Sequence, residues 1–404
     1  MKFTVEKAEG KEKEWKVNSN FKLLNVRYRI LYLLLYGSRV GGGEIQYECL
    51  IQGLDRDRFQ PIVVCPKAGD LTEAFTASGV KTHILRLPRW LQIQSFPFRS
   101  LAAKKLVQLA QQYQVDLIHS EHRMVPYLKA VSRSLEIPSV FHVRSRIRPK
   151  HFQRLFLKSA SAAIVIGNRY RDSLIKAGFD SDQIHLIFDA TDTDRFIPTP
   201  KSGNVLDRIT ATIKIGLVGR IEPFKRQLDF LSAAKQIVQI RDSVAFFLIG
   251  EVRVQSYFRQ LRRYISQNQL DSNVVFTGKR DDMPGVLASL DLLVTLSGGS
   301  VMIEALACGT PVVSASDADP TKLKIVKDQY NGLVVPAMDR QALTAAMLKL
   351  IDDPAYRQQL GRNARAHAEN HFSQAVMIQK TEQVYHTLIR SWDNISEKRD
   401  LESS

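Results

Sequence analysis

The chain has 404 residues, 44 % of them hydrophobic and 24 % charged, with a formal net charge of +16 at pH 7. That length is too great for one ordinary core, so two globular domains are expected. The longest apolar stretch, residues 30 to 36, falls far short of the roughly 20 residues that cross a bilayer, and Cys49, Cys65 and Cys308 lie in apolar segments without metal-ligand spacing, which argues against a disulfide framework or a zinc centre.

Residues 1 to 22 mix lysine with glutamate and hold no apolar core, so they read as a disordered, solvated tail and not as a secretion signal, with a cytoplasmic location as the default. From there short β-rich runs alternate with amphipathic helical stretches, the pattern of parallel α/β sheets. The first set comprises YRILYLLLY (28 to 36), PIVVC (61 to 65), HILRL (83 to 87), DLIHS (116 to 120), SVFHV (139 to 143), AAIVIG (162 to 167) and IHLIF (184 to 188). This places a Rossmann-like domain over residues 23 to 195. Pro198 and Pro200 disfavour helix, so residues 196 to 210 are expected to be a linker. The pattern restarts with IKIGLVG (213 to 219), VAFFLIG (244 to 250), NVVFTG (273 to 278), DLLVTL (291 to 296) and PVVSAS (311 to 316), a second Rossmann-like domain over 211 to 375. Residues 354 to 392 are helical in pattern without a strand, and 376 to 404 are expected to return toward the first domain before ending in a tail.

The charge is unevenly spread. Residues 1 to 195 carry 31 Lys+Arg against 19 Asp+Glu, a net of +12, and the remainder carries 26 against 22, a net of +4. Residues 74 to 115 contain no acid, while Lys81, Arg86, Arg89, Arg99, Lys104 and Lys105 lie among Trp90, Leu91, Ile93, Phe96 and Phe98. A second acid-free run holds Arg144, Arg146, Arg148, Lys150, Arg154 and Lys158. Two readings fit equally: a solvated basic face over ordinary core aromatics, or a surface for an anionic membrane, where cations meet headgroups and aromatic rings sit at the interface. Sequence-specific nucleic-acid binding is not expected.

Ligands of open α/β sheets bind outside the carboxyl ends of strands, so the loops after strands carry the chemistry. In VGRIEPFKRQ a strand ends at Gly219, Arg220 follows, and Lys225 stands at the start of a helical stretch. Two cations and a helix N-terminus on one point suit a pyrophosphate, because Arg supplies a bidentate fork, Lys a point charge and the helix free N–H groups. In LSGGSVMIEALACGTPVV a strand runs into Ser297, Gly298, Gly299, Ser300 and Val301, and Glu304 stands one turn inside the next helix. The glycines allow close backbone approach, and a carboxylate can accept two hydrogen bonds from a vicinal diol such as ribose. Taken alone, Glu304 reads first as a helix-dipole glutamate that needs no ligand. Asp55-Arg-Asp57 and Asp192-Thr-Asp194 read as turn residues and not as a metal site. A dinucleotide fingerprint is absent, since GGGE lacks the third glycine and no acid ends PIVVC.

Together these motifs resemble glycosyltransferase family 4, the group 1 glycosyltransferases of GT-B fold. The resemblance rests on the spacing of Gly219, Arg220 and Lys225, on Glu304 before EALACGTPVVSAS, on Asn331-Gly332 in NGLVVP, and on VVFTGKRDDMPGVLASLDLLV around Gly278 and Arg280. More loosely, Gly41, Gly42 and Gly43 in YGSRVGGGEIQ match the family's glycine-rich loop, and His142 in FHVR matches its histidine near the transferred sugar. The resemblance spans roughly residues 28 to 390. It implies two Rossmann-like domains facing each other across a cleft, with C-terminal helices packing back. It also implies retaining transfer from a nucleotide-diphosphate-sugar with no cofactor and no metal. Arg220 and Lys225 would then neutralise the leaving diphosphate, Glu304 would hold the ribose, Gly278 and Arg280 would lie beside the base, and His142 would touch the sugar. The acceptor is left open; an anionic or membrane-associated one fits the charge split.

The chain departs from the family pattern at four places. Leu296 stands where most members carry a further glutamate, beside a shortened SGGS loop; Lys324 in DADPTKLK stands near another; Asp189-Ala190 replaces an asparagine-glycine; and Arg226 follows Lys225 where glycine is common. The diphosphate clamp is retained and the sugar end is altered. A GT-B nucleotide-sugar epimerase, or a non-catalytic GT-B module binding a nucleotide or a partner, are the alternatives.

Overall fold

The computed structural model describes residues 27–199, 206, 211–316 and 325–403, together with two short strands, Thr4–Val5 (β1) and Lys13–Glu14 (β2), that pair antiparallel. Beyond those strands the expected tail over 1 to 22 lies outside the described residues, as do most of 200–210 and Lys324. The chain divides into two compact units, Met1–Phe188 with Ile378–Ser404, and Asp189–Met377.

The first unit is built on a seven-stranded parallel sheet ordered β5-β4-β3-β6-β7-β8-β9, from β3 (Tyr28–Leu33), β4 (Phe59–Cys65), β5 (Lys81–Ile84), β6 (Leu117–Glu121), β7 (Ser139–Val143), β8 (Ala162–Val165) and β9 (Ile184–Leu186). Strands β4, β6, β7 and β8 are buried along nearly their whole length, which is why PIVVC in β4 and AAIV in β8 read as unbroken apolar runs and not as alternating ones, whereas β6 and β7 bury His119, Ser120, Glu121, Ser139 and His142 as well. Helices α1 (Gly42–Gly53), α2 (Asp70–Ala77), α3 (Phe96–Gln112), α4 (Val125–Leu135), α5 (Pro149–Arg154) and α6 (Asn168–Lys176) connect them. Pro97, Pro126 and Pro149 fall in the first turns of α3, α4 and α5, where a missing N–H costs nothing. One core packs Leu31, Leu33, Ile62 and Val64 from the sheet against Leu106, Leu128 and Val131 from α3 and α4. The loop after β3 is pressed on that before α2. A Cβ at Gly69 would lie 2.0 Å from Ser38 Oγ, and one at Gly37 would lie 1.9 Å from the Lys67 carbonyl.

The second unit carries a six-stranded parallel sheet ordered β12-β11-β10-β13-β14-β15, from β10 (Ile213–Val218), β11 (Val244–Ile249), β12 (Val274–Gly278), β13 (Leu292–Thr295), β14 (Val312–Ser316) and β15 (Gly332–Pro336). The five strands read from sequence are all present, and β15 is added. Gly332 permits the extra pairing, because a Cβ there would lie 2.1 Å from the Val312 carbonyl of β14. The adjoining Asn331 is fully buried, accepting from the Lys327 N–H at 2.7 Å and donating to the Ile325 carbonyl at 3.2 Å, so this Asn-Gly pair closes a turn and seats an edge strand. Helices α7 (Gln227–Val238), α8 (Gln255–Gln267), α9 (Met283–Ala288), α10 (Val301–Ala307), α11 (Arg340–Asp352) and α12 (Pro354–Phe372) complete the unit. Phe196 and Leu206, inside the stretch expected as linker, are buried, and Arg365 of α12 donates to the carbonyls of Thr193, Phe196 and Ala307. The last helix, α13 (Gln374–Ser403), belongs to the first unit from Ile378 onward.

Candidate functional site

In the second unit the chain lays down β10, β11 and β12 on one side and then crosses to β13 on the other, so β10 is bonded to both β11 and β13. Loops leaving β10 and β13 therefore part in opposite directions and leave a crevice at the carboxyl edge, the place where open parallel sheets bind ligands. Both motifs singled out in the sequence emerge there: Gly219 to Lys225 after β10, and Ser297 to Glu304 after β13.

Gly219 is an arrival point that only glycine fits. Its φ is 154°, and a Cβ would lie 3.0 Å from Cδ and Cε of Lys225, so the absent side chain is what lets the lysine stem fold back over the strand end. Gly250, at the end of β11 with φ 150°, backs it: a Cβ there would lie 2.2 Å from the Gly219 carbonyl oxygen. Arg220 is exposed and paired with Glu222 at 3.1 Å, and its carbonyl accepts from Nε2 of the fully buried Gln227 at 2.9 Å. Lys225 closes the 3-10 turn Pro223–Lys225, and burial pulls its ammonium below the usual lysine range, with Glu222 opposing and Arg220 adding to the effect. Two cations thus stand at one corner, where Arg220 is paired with Glu222 and Lys225 feels the same carboxylate through space. Arg226 has φ 59°, the left-handed conformation that favours glycine, and its guanidinium bonds Asp229 at 2.7 Å, so this third cation is spent within α7.

Glu304 lies in the first turn of the seven-residue α10. Its carboxylate is largely withdrawn from water, and burial raises its pKa, with Arg195 opposing. Among the described residues it has neither a hydrogen bond nor an ion pair, and it keeps partial contact with solvent, so it is a half-buried acceptor open to donors from a ligand. Ahead of it Gly298 (φ 70°) and Gly299 (φ 131°) form a left-handed corner, and a Cβ on Gly299 would meet nothing within 4 Å, so the backbone of this loop faces open space. Ser300 caps α10, and Val301 begins it. Leu296, the residue that the resemblance sets against a second glutamate, is buried in the core with Leu217 and Val294. On the neighbouring side Gly278 (φ 70°) ends β12, and Arg280 makes a double hydrogen bond to Asp282 at 2.8 and 2.7 Å. Arg195 and Gln227 carry no motif signal in the sequence, and only the fold associates them with these loops.

In the first unit the equivalent crevice lies between β3 and β6. Gly41 is extended and caps α1; a Cβ on Gly42 would meet nothing within 4 Å, and one on Gly43 would lie 3.5 Å from Arg144 Cδ. His142, on β7, is buried and stacked on His119 of β6, with ring centres 5.6 Å apart and planes 11° apart. Nη2 of Arg144 lies 3.4 Å from His142 Nδ1; an arginine only donates, so the ring proton belongs on Nε2, which is buried and has no partner among the described residues. Burial, then Arg144 and His119, hold His142 far below the usual histidine range, and burial brings His119 and His122 down to about 3. His119 and Glu121 lie on β6 and His122 directly follows it, all three buried. The structure gives His119 a specific partner, Tyr385 of α13, whose hydroxyl is 2.6 Å from Nδ1 and 2.9 Å from the Tyr32 hydroxyl. Glu121 pairs with Arg123 at 2.7 Å. The Asp-x-Asp sequences are turns, as expected: Asp55 accepts from the Asp57 N–H at 3.0 Å, and Asp192 accepts from those of Asp194 and Arg195 at 3.1 and 3.0 Å.

Two family models match the chain, one for glycosyl transferases group 1 over residues 204–367 and one for glycosyltransferase family 4 over residues 40–195. A GDP-mannose-dependent monoacylated alpha-(1-6)-phosphatidylinositol monomannoside mannosyltransferase of Corynebacterium glutamicum is 30 % identical over 204 residues, 46 % of this chain and 51 % of that protein, so the match spans about half of that relative. A UDP-Gal:alpha-D-GlcNAc-diphosphoundecaprenol alpha-1,3-galactosyltransferase of Escherichia coli is 23 % identical over 82 % of this chain and 90 % of its own. Among solved structures, HepE of Anabaena in complex with UDP superposes with a TM-score of 0.75 at 22 % identity, covering 89 % of this chain and all of that one. A glycosyltransferase of Rickettsia africae superposes at 0.76 with 16 % identity over 90 % and 99 %. At these identities the structures establish the fold.

Proposed function

The chain belongs to the family 4, group 1 glycosyltransferases, and from that premise we propose that it transfers a sugar, with retention of anomeric configuration, from a nucleoside-diphosphate-sugar held by its second unit. One observation carries the reading: Glu304 is a half-buried carboxylate without a partner among the described residues, in the helix that follows β13, and the neighbouring strand β10 ends at the corner where Arg220 pairs with Glu222 and Lys225 feels the same carboxylate. A ribose diol supplies the two donors Glu304 lacks, and a diphosphate supplies the charge the two cations lack. The cations act where charge grows as the glycosidic bond to the diphosphate breaks, so they stabilise the transition state and not only the bound donor. This role needs no bound metal. Gly278 and the Arg280–Asp282 pair border the base. The UDP in the Anabaena structure and the GDP-mannose and UDP-Gal of the two relatives support a nucleoside-diphosphate donor.

For the acceptor, the basic first unit favours an anionic or membrane-associated molecule at the cytoplasmic face of a membrane. The phosphatidylinositol monomannoside and diphosphoundecaprenol acceptors named for the relatives support that direction. No helix of the described residues is long and apolar enough to cross a membrane. Consumption of a panel of UDP- and GDP-sugars tests the reading: Arg220→Ala and Lys225→Ala should abolish turnover while leaving circular dichroism unchanged. Failure of every donor to turn over, with no stabilisation by any nucleoside diphosphate, would refute it. The burial of Leu296 favours a second reading, a GT-B nucleotide-binding module or an epimerase. Binding without turnover would mark the first, and donor conversion without acceptor the second.

A further inference from the structure

Around the start of α3 the first unit carries a feature that no packing argument explains. Ile93, Phe96, Phe98 and Leu101 are 86 %, 73 %, 59 % and 56 % exposed. One exposed apolar side chain is ordinary, but four in one short stretch form a patch, and patches of that kind mark interaction surfaces. The helix is held to the core by Ala102, Leu106 and Ala110, and beside that buried stripe Phe98, Leu101 and Lys105, at helical spacing, are exposed together with Lys104. Arg86 and Arg89 are exposed just before the patch, and no acid occurs between residues 74 and 115.

The patch continues into the body of the unit through alternating rings and cations. The Arg99 guanidinium lies 5.5 Å from the centre of the Phe96 ring and 5.1 Å from that of Trp90, held there by a 2.6 Å hydrogen bond to the Gln92 carbonyl. Trp90 meets Phe156 edge-on at 6.3 Å, and Lys129 Nζ stands 3.9 Å over the Phe156 ring. Phe156 adopts a left-handed backbone, φ 53°, which costs an aromatic residue on the order of 1–3 kcal/mol and needs a compensating purpose. Phe156 and Lys129 line a cavity of about 470 Å³ together with Arg133, Phe152, Lys158 and Phe179. Three cations and three phenylalanines meet there, and among the described residues no carboxylate lines the cavity. Lys158 is further placed by Gly178, where a Cβ would lie 2.7 Å from its ammonium nitrogen. Apolar walls with uncompensated cations suit an amphiphile that bears a phosphate.

We infer that this face seats the first unit on an anionic phospholipid bilayer, with Ile93, Phe96, Phe98 and Leu101 inserted at the headgroup–acyl boundary and a headgroup phosphate received by Lys129, Arg133 and Lys158. The inference rests on the transferase reading for its purpose, since a surface-held enzyme meets a lipid-linked acceptor in two dimensions, while its geometry stands apart from the donor site. Interfacial side chains of this kind bind through buried apolar area plus attraction to anionic lipid.

Co-sedimentation with phosphatidylcholine vesicles, with and without phosphatidylglycerol, tests it. The intact protein should bind the anionic vesicles and release them at high salt. Phe96→Ser with Phe98→Ser and Leu101→Ser should lose most of that binding, and Lys129→Gln with Arg133→Gln and Lys158→Gln should lose about a hundredfold, taking about 1 kcal/mol per cation near the surface. All six side chains are at least partly exposed, so both variants should keep the parent Tm and the parent stabilisation by UDP or GDP. Equal binding to neutral and anionic vesicles, or undiminished binding by either triple variant, overturns the inference. If vesicles fail to bind while a nucleoside diphosphate still stabilises the protein, this inference falls alone; if neither binds, the transferase reading falls with it.

Discussion

Replacing Glu304 with glutamine separates a ligand-binding carboxylate from a structural one, because the two roles demand opposite signs. As a helix-dipole residue, Glu304 would contribute about 0.3 to 1 kcal/mol, and α10 spans only seven residues, so the lower figure applies. Against this stands desolvation. Burial raises the folded-state pKa above the ordinary glutamate value, so the ionised form destabilises the fold, and stability contributed by the protonated form is lost as pH rises through the folded pKa. At neutral pH the isosteric amide removes that cost and leaves no partner stranded, since Glu304 has none among the described residues. The ligand-free variant should therefore melt at or slightly above the parent temperature. Binding should move the other way. Hydrogen bonds to a charged group contribute about 1.5 to 3 kcal/mol each, and an amide can accept only through its oxygen, so about tenfold to a hundredfold should be lost in affinity for a nucleoside diphosphate. Differential scanning fluorimetry with and without UDP or GDP reads both quantities in one experiment. A ligand-free Tm several degrees below the parent, with unchanged stabilisation by nucleotide, would refute the ribose role.

Gly250→Ala forces a Cβ to 2.2 Å from the Gly219 carbonyl at a φ of 150°, and should destabilise the second unit by about 3 kcal/mol from backbone strain and overpacking; an unchanged Tm would show that the strand ends are free to part. Arg226→Gly should be close to neutral, because relief of left-handed strain of about 1 kcal/mol offsets loss of the Asp229 pair, and nucleotide affinity should not change; a collapse of affinity would mean that Arg226 meets the ligand. Acidification should destabilise the first unit. His119 and His122 titrate near 3 when folded and near 6.5 when unfolded, so each contributes stability present above pH 6.5 and lost as pH falls toward the folded value, about 2 kcal/mol per residue by pH 5. Thermal melts between pH 5 and 7 that do not move would contradict this.

The two parallel sheets were legible because strands buried on both faces are unbroken apolar runs, as in PIVVC and VAFFLIG, and because alternation with helices leaves few topologies. The edge strand β15 was not, since GLVVP is short and opens on a glycine whose purpose is clearance from the β14 backbone. At the site, Arg220, Lys225 and Glu304 could be located because each follows a strand end in a recognisable turn. What could not be read was occupancy. Arg280 is a cation in the right loop, but its guanidinium is held by Asp282, and Leu296 occupies a position where a functional acid is usual yet packs into the core. Long-range partners were equally hidden: His119 and Tyr385 share a hydrogen bond across 266 residues, and neither position announces the other. The exposed stretch at Ile93 to Leu101 was visible as a composition, and only its solvent exposure separated it from ordinary core aromatics.

We propose that Arg220 and Lys225 form the diphosphate site of a nucleotide-sugar enzyme. The most direct test is calorimetric titration of UDP and GDP into the parent protein, Arg220→Ala and Lys225→Ala, each checked for an unchanged fold. At least one nucleoside diphosphate should bind the parent, both variants should lose about tenfold or more, and the corresponding nucleoside without phosphates should bind all three proteins alike. Equal diphosphate affinity in the parent and both variants would contradict it.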